Sequence, residues 1–518
     1  MIETITGGPI QKNNQFINCS GLQPGDKIKN QMGFSPTSMK AIINRSNFSS
    51  LLKSGECRKD KVIQKHNQFI NCSGLQPGDK IKKQMGFSPT SMKAIIDCNN
   101  FYCSCERLFL PHLDKKPVVV LSNNDGCIIS RSDEAKKLGV PMAGPYFQAK
   151  PLIQKHQIAT FSSNYNLYGD LSWRVMETLR TILGKEKVEV YSVDECFLDF
   201  SGFGGQDLYQ AGIEIRETVE RWTGIKVSVG IAPTKVLCKV ANHLAKKNKE
   251  ETRCVVVLNN EAEIATALQK TPVGDIWGVG RQYAEKLRQA WGIYDGYQLQ
   301  QMSEEFGRSQ LGGVVGARLV RELKGVSCND MEEELTQKKM IATTRMFGTP
   351  VTNLGDIKEA VATYTSRAAE KLRRQHGAAR VISVFVVMKE ESHSVSFNRG
   401  ATRSLYATLP TATSFTHELI KPAVALVDEL YEKGRIYKKA GVMLSGIVPD
   451  ESIQGNLFQP ETSNCGRRLM DAIDNINFSQ RDDILKFASS GLTRDWKMRQ
   501  ELRSPRYTTR WEELYRVG

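Results

Sequence analysis

The sequence predicts a multidomain protein of mixed α/β (α+β) class, and three observations support this. The chain has 518 residues, more than one hydrophobic core usually organises, so about three to five domains are expected. Short runs rich in β-branched residues, such as AII at 94–96 and VEV at 188–190, read as strands and are separated by helical sequence. No stretch reaches the roughly 18 apolar residues of a membrane span, so the folding unit is expected to be globular.

The overall charge favours an anionic partner. Lys and Arg number 71 against 56 Asp and Glu, which gives a net charge of +15, and such an excess is typical of proteins that bind nucleic acid or a membrane surface. A basic surface kept only for solubility is the alternative. The first residues do not combine a basic segment with an apolar one, so no secretory signal is expected and the predicted location is cytoplasmic.

The cysteines do not indicate a metal or disulfide framework. The chain has 12 cysteines and no C-x-x-C spacing, so neither disulfides nor a zinc site is expected. Cys98, Cys103 and Cys105 lie close together among Ile96, Phe101 and Tyr102. These apolar neighbours favour small buried side chains rather than ligands.

The opening of the chain is a nearly verbatim repeat. Residues 10–43 and 63–96 differ at only two pairs of positions, Asn13/His66 and Asn30/Lys83. Solenoid repeats diverge and recur at least about three times, so this repeat indicates a recent duplication or a mistaken start. The repeated unit has few apolar residues and no sustained period, so residues 1–91 are predicted to be a disordered extension, with an ordered N-terminal module as the alternative.

Two short segments bring acids to strand ends. MKAIIDCNNFY reads as a buried strand that ends at Asp97, and VEVYSVDECFLDF reads as two strands with Asp194 and Glu195 between them. Because neighbouring side chains of a strand point to opposite faces, Asp194 and Glu195 can converge only if a tight turn or bulge lies there. The first copy of the repeat has Asn44 where the second has Asp97, so only the second copy can supply this acid.

Converging carboxylates predict a magnesium site. Three carboxylates are costly to keep ionised together without cations, and hard oxygen ligands suit Mg²⁺. Two such ions can activate an attacking 3′ hydroxyl and neutralise a leaving pyrophosphate. A single D-E pair in a solvated turn would be the ordinary interpretation, so the neighbouring motifs decide between the two.

Five long motifs follow one another after Met92. They are IDCNNFYCSCE, KPVVVLSNNDGCIISRSDEAKKLGV, FSSNYNLYGDLSWRVM, YSVDECFLDF and GIAPTKVLCKVANHLAKK. In this order they resemble the Y family of translesion DNA polymerases, and within it the UmuC-like members. The resemblance runs from about residue 92 to residue 518, and it leaves out only residues 1–91.

This resemblance implies a right-hand polymerase with a ferredoxin-like palm, fingers, a helix-hairpin-helix thumb, a little finger and a C-terminal tail. Asp97, Asp194 and Glu195 match the family's catalytic metal ligands, and Cys98 is placed with them among the metal-binding positions. Tyr102 matches the steric gate, an aromatic ring that lies under the sugar and excludes a ribose 2′-OH, whereas Phe101 is expected to be packing.

Further matches concern the incoming triphosphate. Ser130, Lys136 and Lys246 fall where the family places polar and cationic side chains that bind it. Many relatives have Tyr and Arg where this chain has Asp133 and Lys136. Lys136 can supply charge without a bidentate fork, while Asp133 puts a phosphate role for its own position in doubt.

Two later segments resemble the parts of the family that hold DNA. Gly278 and Gly280 precede an amphipathic helical pattern built on Tyr283, Leu287 and Ala290, where backbone N–H groups could approach a phosphate. This resembles the thumb hairpin. From about residue 338 the pattern is strand, long helix, strand, as in the little finger, and its helix is rich in arginines, of which we expect Arg367 and Arg374 to contact phosphates.

The tail carries the expected protein contacts. Gln454, Leu457 and Phe458 resemble the short peptide that docks bacterial polymerases on the sliding clamp, although Gly455 departs from the leucine commonly found there. The segment from about residue 467, which is rich in arginine, resembles the part of UmuC-like enzymes that contacts a UmuD′-like dimer and a RecA filament.

The implied function is error-prone, template-directed DNA synthesis past lesions, of the SOS type, by two-metal phosphoryl transfer with two Mg²⁺ ions, dNTP substrates and primer–template DNA. The expected order is an extension at 1–91, palm at 92–254 with fingers inserted at about 101–166, thumb at 255–330, little finger at 338–448 and a partner-binding region at 449–518. Two alternatives remain open at this point. A nucleotide cyclase also uses paired acids and magnesium, and a non-catalytic DNA-binding relative would keep the fold alone.

Overall fold

The computed structural model describes residues 92–203, 207–332, 337–389, 400–455, 464–479, 483–492 and 494–514. The extension predicted at 1–91 lies outside the described residues, and of the repeat only the last five residues of the second copy, 92–96, are described. Among the described helices, none is long and apolar enough to cross a membrane.

The first part of the chain alternates strands and helices. Its elements are β1 (Lys93–Cys98), α1 (Phe101–Leu108), β2 (Val118–Leu121), β3 (Ile128–Arg131), α2 (Asp133–Lys137), α3 (Tyr146–Lys155), β4 (Ala159–Ser162), α4 (Tyr165–Leu183), β5 (Val188–Val190), β6 (Glu195–Asp199), α5 (Leu208–Thr223), β7 (Val227–Ala232), α6 (Lys235–Lys247), α7 (Lys249–Thr252) and β8 (Val255–Val257).

Five of these strands form one sheet in the order β5-β6-β1-β7-β8. The first four strands of that order pair antiparallel, and β8 pairs parallel to β7. Strands β1, β5, β6 and β7 with α4 and α5 therefore make the βαββαβ arrangement of a ferredoxin-like fold, as expected for the palm. The sheet extends three residues past the boundary expected at residue 254, because β8 ends at Val257.

The central strand β1 is buried on both faces. Ala94, Ile96 and Cys98 belong to the core under α4 and α5, whereas Ile95 belongs to the core under α6. This is the two-residue alternation of a strand, so Asp97 points to the same face as Ile95, toward α6.

A smaller sheet lies between α1 and α4. Its order is β3-β2-β4, with β2 and β4 parallel, and α2 and α3 contribute to its own small core around Val119 and Ile153. This unit falls within the insertion at about 101–166 that was expected to form the fingers.

A helical unit follows, made of α8 (Glu261–Gln269), α9 (Arg281–Trp291), α10 (Gly296–Gln300), α11 (Glu304–Gln310) and α12 (Val314–Leu323). The amphipathic pattern expected for α9 was only partly right. Leu287 is buried as expected, but Ala284 is its buried partner, and Tyr283 and Ala290 are exposed. Positions 284 and 287 share the inner face of the helix because they are three residues apart.

The next unit is a four-stranded sheet with two helices on one face. Its elements are β9 (Ile341–Val351), α13 (Leu354–Arg374), β10 (Gly377–Met388), β11 (Thr402–Thr413), α14 (Thr416–Leu430) and β12 (Tyr437–Pro449), and the strand order is β11-β10-β12-β9. Alternate residues Ile382, Val384 and Val386 pack with both helices, so the opposite face of the sheet is left open.

The C-terminal part begins with α15 (Asn464–Ser479). Trp496 then inserts into the core of the four-stranded unit, where its ring contacts Tyr364 at 5.8 Å. Residues 499–507 continue onto the smaller sheet and α4: Ser162 and Leu502 exchange hydrogen bonds, and Ser162 bridges to Arg503. This stretch, residues 496–507, is referred to below as the C-terminal strap.

Candidate active site

Helix α6 approaches the palm sheet closely enough to meet the acids at its edge. A Cβ atom at Gly230 in β7 would lie 2.3 Å from the carbonyl oxygen of Cys238 in α6, so only glycine permits this packing. The approach places Lys239 and Lys246 of α6 over the ends of β1 and β6. Lys246 forms an ion pair with Asp97, and Lys239 pairs with Glu195 at 2.7 Å.

Asp97 and Glu195 face each other across β1 and β6. They are directly opposite in the antiparallel register, and their side chains hydrogen-bond to each other. Burial raises the pKa of Asp97 to about 7, against the opposing effect of Lys246, while the hydrogen bond with Glu195 adds to the rise. The pKa of Glu195 is lowered, since its hydrogen bonds from Asp97 and Lys239 outweigh its burial. Burial and the adjacent carboxylate therefore disfavour the ionised form of Asp97, whereas Lys239 favours the ionised form of Glu195.

Asp194 lies in a tight turn immediately before β6. The backbone N–H groups of Tyr191 and Ser192 both donate to the carbonyl of Glu195, and the Ser192 hydroxyl donates to Asp194 Oδ1 at 2.7 Å. The N–H of Cys98 donates to the carbonyl of Asp194 at 2.8 Å, which ties this turn to the end of β1. The structure thus has the turn that convergence of Asp194 and Glu195 requires.

The donor chemistry fits a hard divalent cation. Two adjacent carboxylates each pair with a lysine, so a cation bound there would replace positive charge that the site already draws from its surroundings. Within the described ranges, however, no group of three or more His, Cys, Asp or Glu side chains is already gathered as a metal site. Loading would require Asp97 to release Lys246 and Asp194 to turn from Ser192.

Cys98 does not fit as a thiolate ligand. Its side chain is 2% exposed in the palm core, and burial raises the pKa of the thiol well above its usual range. A neutral buried thiol binds metal poorly, so any contribution from this position is left to its main-chain carbonyl. Cys103 and Cys105 are buried as well, which confirms the expectation for the cysteine cluster.

One cavity of about 440 Å³ gathers most of the predicted site residues. Glu195 is not among its lining residues but lies opposite Asp97 in the sheet. The predicted residues that line the cavity are Asp97, Cys98, Tyr102, Ser130, Lys136, Asp194 and Lys246. These residues come from β1, α1, β3, α2, the turn before β6, and α6. Its volume lies within the range of small-molecule sites.

Tyr102 stands within a cluster of three tyrosines. Its ring stacks on that of Tyr168 at 4.7 Å and meets Tyr165 edge-on at 6.1 Å. Phe101 beside it is 3% exposed, as expected for packing. Tyr102 is half-buried and presents its remaining surface to the cavity.

A polar network that the sequence analysis missed fixes Lys136. Its Nζ donates to Asn100 Oδ1 at 2.5 Å and to Asp133 Oδ1 at 3.0 Å. Asp133 Oδ1 also accepts a hydrogen bond from Asn100 Nδ2 at 3.1 Å, and Asp133 forms an ion pair with Lys249. The pKa of Asp133 is held low by hydrogen bonds from Lys249, Asn100 and Lys136, which outweigh burial. Asp133 thus orients Lys136 instead of facing a phosphate. Asn100 has a left-handed φ of 48°, which the adjacent Asn99-Asn100 pair could have signalled.

Arg131 and Met142 also line the cavity and were not singled out. Arg131 follows Ser130 directly in β3, and its guanidinium donates to the Val140 carbonyl. A basic residue beside a predicted triphosphate contact is a signal that the sequence did contain.

The glycines expected to bind DNA lie as predicted at a helix start. Gly278 has a φ of +98°, and Gly280 is the N-cap of α9. The space next to Gly280 is open, because a Cβ added at this residue would have no described atom within 4 Å. Its backbone is therefore approachable from outside.

The arginines expected to contact phosphates each form an ion pair within the protein, and their contact with DNA stays a prediction. Arg367 pairs with Asp483 at 2.8 Å, and Arg374 pairs with Glu370 at 2.6 Å and lies over the Phe478 ring at 5.4 Å. Asp483 and Phe478 belong to the C-terminal part, which covers this side of α13. Of the predicted clamp peptide, Gln454 is exposed, and Leu457 and Phe458 lie outside the described residues.

Comparison with known proteins assigns the family. Residues 96–243 match the impB/mucB/samB family, residues 338–457 match its C-terminal domain, and residues 467–517 match a domain of unknown function, DUF4113. UmuC of Salmonella typhimurium is 42% identical over 82% of this chain and 100% of its own length. ImpB of the same species is 38% identical over 82% of this chain and 99% of its own.

More distant relatives agree. DNA polymerase IV of Brucella melitensis is 28% identical over 69% of this chain and 76% of its own. A solved Y-family DNA polymerase chimera of Dbh and Dpo4 superimposes with a TM-score of 0.57 at 21% identity, covering 69% of this chain and 99% of the chimera, which supports the right-hand fold. The chain belongs to the impB/mucB/samB family and is a UmuC-like member of the Y-family translesion DNA polymerases.

Proposed function

We propose that this polymerase carries out its error-prone, SOS-type synthesis past lesions in the cavity between β1, α1, α2 and α6. As a Y-family enzyme it uses dNTPs, divalent cations and primer–template DNA. The observation that carries the site assignment is the convergence of Asp97, Asp194, Tyr102, Ser130, Lys136 and Lys246 on one cavity of about 440 Å³. Family membership also disfavours the nucleotide cyclase as an alternative.

Asp97, Asp194 and Glu195 would hold the cations, and we propose Mg²⁺ because all three offer carboxylate oxygens. When bound, two Mg²⁺ ions supply activation of the primer 3′ hydroxyl and charge neutralisation on the leaving pyrophosphate. Without cations, Lys246 and Lys239 offset the negative charge of this buried acidic pair. Cations held by the three carboxylates would take the place of Lys246 beside Asp97.

Lys246 and Lys136 then act on the triphosphate. Lys246 is about one-third exposed and already lines the cavity, so its ammonium can pass from Asp97 to a phosphate without a backbone movement. Lys136 is held in place by Asn100 and Asp133, which limits the freedom that it would lose on contact with the ligand. Ser130 adds a hydroxyl at the same wall of the cavity. Catalysis of phosphoryl transfer rests on this kind of positioning and electrostatics.

Tyr102 would discriminate the sugar. Its ring is braced by Tyr168 and Tyr165, so it cannot yield easily to a ribose 2′-OH. A ring that presses on that position favours deoxynucleotides by steric exclusion.

The DNA grip would use the open face of the four-stranded sheet together with Arg367 and Arg374 of α13. Tyr406 is 71% exposed there, and Lys439 lies over the Phe385 ring at 5.6 Å on the same face. Basic and aromatic side chains on an open surface suit backbone contacts and base stacking. The start of α9 at Gly278 and Gly280 would add backbone N–H contacts to a phosphate.

The finer partners are proposals supported by family membership. A UmuD′-like dimer, a RecA filament and the sliding clamp would act with this chain in the cytoplasm. Affinity capture of each purified partner by the tagged full chain tests them one at a time. Replacing Leu457 and Phe458 with alanine should abolish capture of the clamp alone.

The deciding experiment is Mg²⁺-dependent primer extension across an abasic template, with UmuD′, RecA filament and clamp supplied. The full chain, a chain that starts at Met92, and that shorter chain with Asp194→Ala are compared. Equal bypass by the first two and none by the third is the expected result. A silent shorter chain beside an active full chain would make residues 1–91 a functional module. Silence of all three, under conditions that activate a known relative, would contradict the proposed catalysis.

A further inference from the structure

The C-terminal strap joins the two helices that form the tyrosine cluster. Tyr102 lies on α1, and its ring partners Tyr165 and Tyr168 lie on α4. The strap contacts the second half of α1 at Glu106 and the start of α4 at its N-cap, Asn164.

On α1, the strap binds a buried acid. Glu106 stands one helical turn after Tyr102, is 0% exposed, and its Oε1 accepts hydrogen bonds from the hydroxyls of Tyr168 at 2.6 Å and Ser504 at 3.0 Å. Tyr507 also stacks on Phe109, next to the end of α1, with ring centroids 4.5 Å apart.

On α4, the strap binds the residue that caps the helix. Asn164 accepts the N–H of Leu167 with its side-chain oxygen, and its Nδ2 donates to the Ser504 carbonyl, the Ser504 hydroxyl and the Pro505 carbonyl at 3.0 to 3.1 Å. Ser504 therefore touches the start of α4 and the acid of α1 at once.

Burying the carboxyl group of Glu106 is energetically unfavourable, which argues against a purely structural role. Burial raises the pKa of Glu106 to about 7, in spite of the hydrogen bonds from Tyr168 and Ser504, and its Oε2 has no hydrogen-bond partner among the described residues. An apolar residue would fill this place in the core at less cost. What Glu106 supplies that an apolar residue could not is a directional hold on the Tyr168 hydroxyl, and Tyr168 is the residue that stacks on Tyr102 at 4.7 Å.

We propose that the C-terminal strap sets the sugar selectivity of the polymerase. Ser504 and Glu106 are positioning residues: they fix the Tyr168 ring, and through it the Tyr102 ring, without touching the nucleotide. The inference rests on the proposed role of Tyr102 as the steric gate. It gives part of the segment that matches the domain of unknown function a task inside the polymerase itself.

The test is single-nucleotide insertion with matched dNTP and rNTP, read as the ratio of their kcat/KM values in the full chain with its partners. Tyr168→Phe and Ser504→Ala each remove one hydrogen bond to Glu106 and should raise the relative use of rNTP about three- to tenfold. Glu106→Ala should do the same, whereas Glu106→Gln keeps an accepting oxygen and should restore the ratio. Ser490→Ala is the matched control, because Ser490 is a buried serine in the same C-terminal region that lies beside α13.

Tyr102→Ala separates the two ideas. If it raises relative rNTP use strongly while Tyr168→Phe, Ser504→Ala and Glu106→Ala leave the ratio at its wild-type value, the steric gate stands and the strap proposal is wrong. If Tyr102→Ala itself leaves the ratio unchanged, the gate fails. A merely structural strap would lower dNTP and rNTP insertion by the same factor, and that outcome also overturns the proposal. Tyr168→Phe keeps the ring and its packing, so it remains informative should Ser504→Ala or Glu106→Ala unfold.

Discussion

Helix α6 carries a lysine–carboxylate pair at each end, and the two pairs are built differently. At its start, Lys235 is 4% exposed and binds both oxygens of Glu189, at 2.9 and 2.6 Å, together with the Asp330 carbonyl. Near its end, Lys246 is about one-third exposed, pairs with Asp97, and opens on the cavity. A closed and saturated pair cannot exchange its partner, whereas a half-open one can give it up to a ligand. Under the proposed function, similar ion pairs in one helix therefore serve stability in one place and chemistry in the other.

The largest expected effect is at the open end. Asp97→Asn keeps the shape of the side chain and removes the charge that a cation requires, so primer extension should fall about a thousandfold or more. Stability should not fall, because Asp97 is buried at a cost that raises its pKa. Steady-state insertion and thermal unfolding measure the two effects, with Asp114→Asn as control, because Asp114 is exposed and does not line the cavity. Extension at the wild-type rate would remove Asp97 from the metal site.

At the start of α6, the Lys235–Glu189 pair should matter more for stability than for primer extension. Lys235→Met strands the buried Glu189 charge and should lower the free energy of unfolding by about 3–5 kcal/mol. The double variant Lys235→Met/Glu189→Leu removes both charges and should recover most of that loss. Urea unfolding of the three proteins provides the numbers. A single variant as stable as the wild type would show that this pair is no more structural than the open one.

Glu106 sharpens the comparison because it is a buried acid held by hydroxyls. Its pKa in the folded protein is raised to about 7 from an ordinary 4.5, so the stability linked to its proton is complete below pH 4.5 and is lost as the pH rises to about 7. Relative to Glu106→Gln, the wild type should lose about 3 kcal/mol across that interval. Denaturant titrations of both proteins at several pH values measure the difference. If the stabilities of the two proteins changed with pH in parallel, the titration would not belong to Glu106.

The smallest expected effect is at Lys246. Lys246→Met should raise the KM for dNTP about tenfold, because one cationic contact to the triphosphate is lost. The free energy of unfolding should change by less than about 1 kcal/mol, since Lys246 is about one-third exposed and solvent screens its charge. Lys247→Met, the neighbouring exposed lysine on α6, is the control for both measurements. A stability loss as large as that of Lys235→Met would erase the distinction between the two ends of the helix.

Much of the proposed active site could be predicted from local sequence. AII before Asp97 indicates a buried strand that ends in an acid, and the adjacent Asp194 and Glu195 require a turn, which the structure supplies at Ser192. The family resemblance, carried by five long motifs, led to Tyr102, Ser130, Lys136 and Lys246, all of which line one cavity. These features can be predicted from the sequence because each depends on a few neighbouring residues or on a motif that keeps its spacing.

What could not be predicted depends on partners far apart in the chain. Arg367 was predicted to lie on a basic face, but its ion pair with Asp483, 116 residues away, could not be predicted. Glu106 and Ser504 are 398 residues apart, and no periodicity or composition links them. Asp133 looked like a departure from the family pattern, and only its contacts with Lys136 and Lys249 give it a task. Sequence patterns report which residues face inward, but they do not report which inward residues meet.

Asn124 has a consequence for the topology of the molecule. Its side-chain amide donates to the carbonyls of Met346 and Phe347 in β9 at 3.2 and 3.1 Å, and its oxygen accepts the N–H of Arg499 at 2.8 Å. Stretches that lie 222 and 375 residues further along the chain thus meet at one amide. The Gly348 N–H also donates to the Trp496 carbonyl. The C-terminal strap therefore contacts both the smaller sheet and the four-stranded unit, and non-covalent contacts join the two parts of the chain. A protease that cuts between α12 and β9 should leave two pieces that migrate as one particle in a native gel and separate only in denaturant.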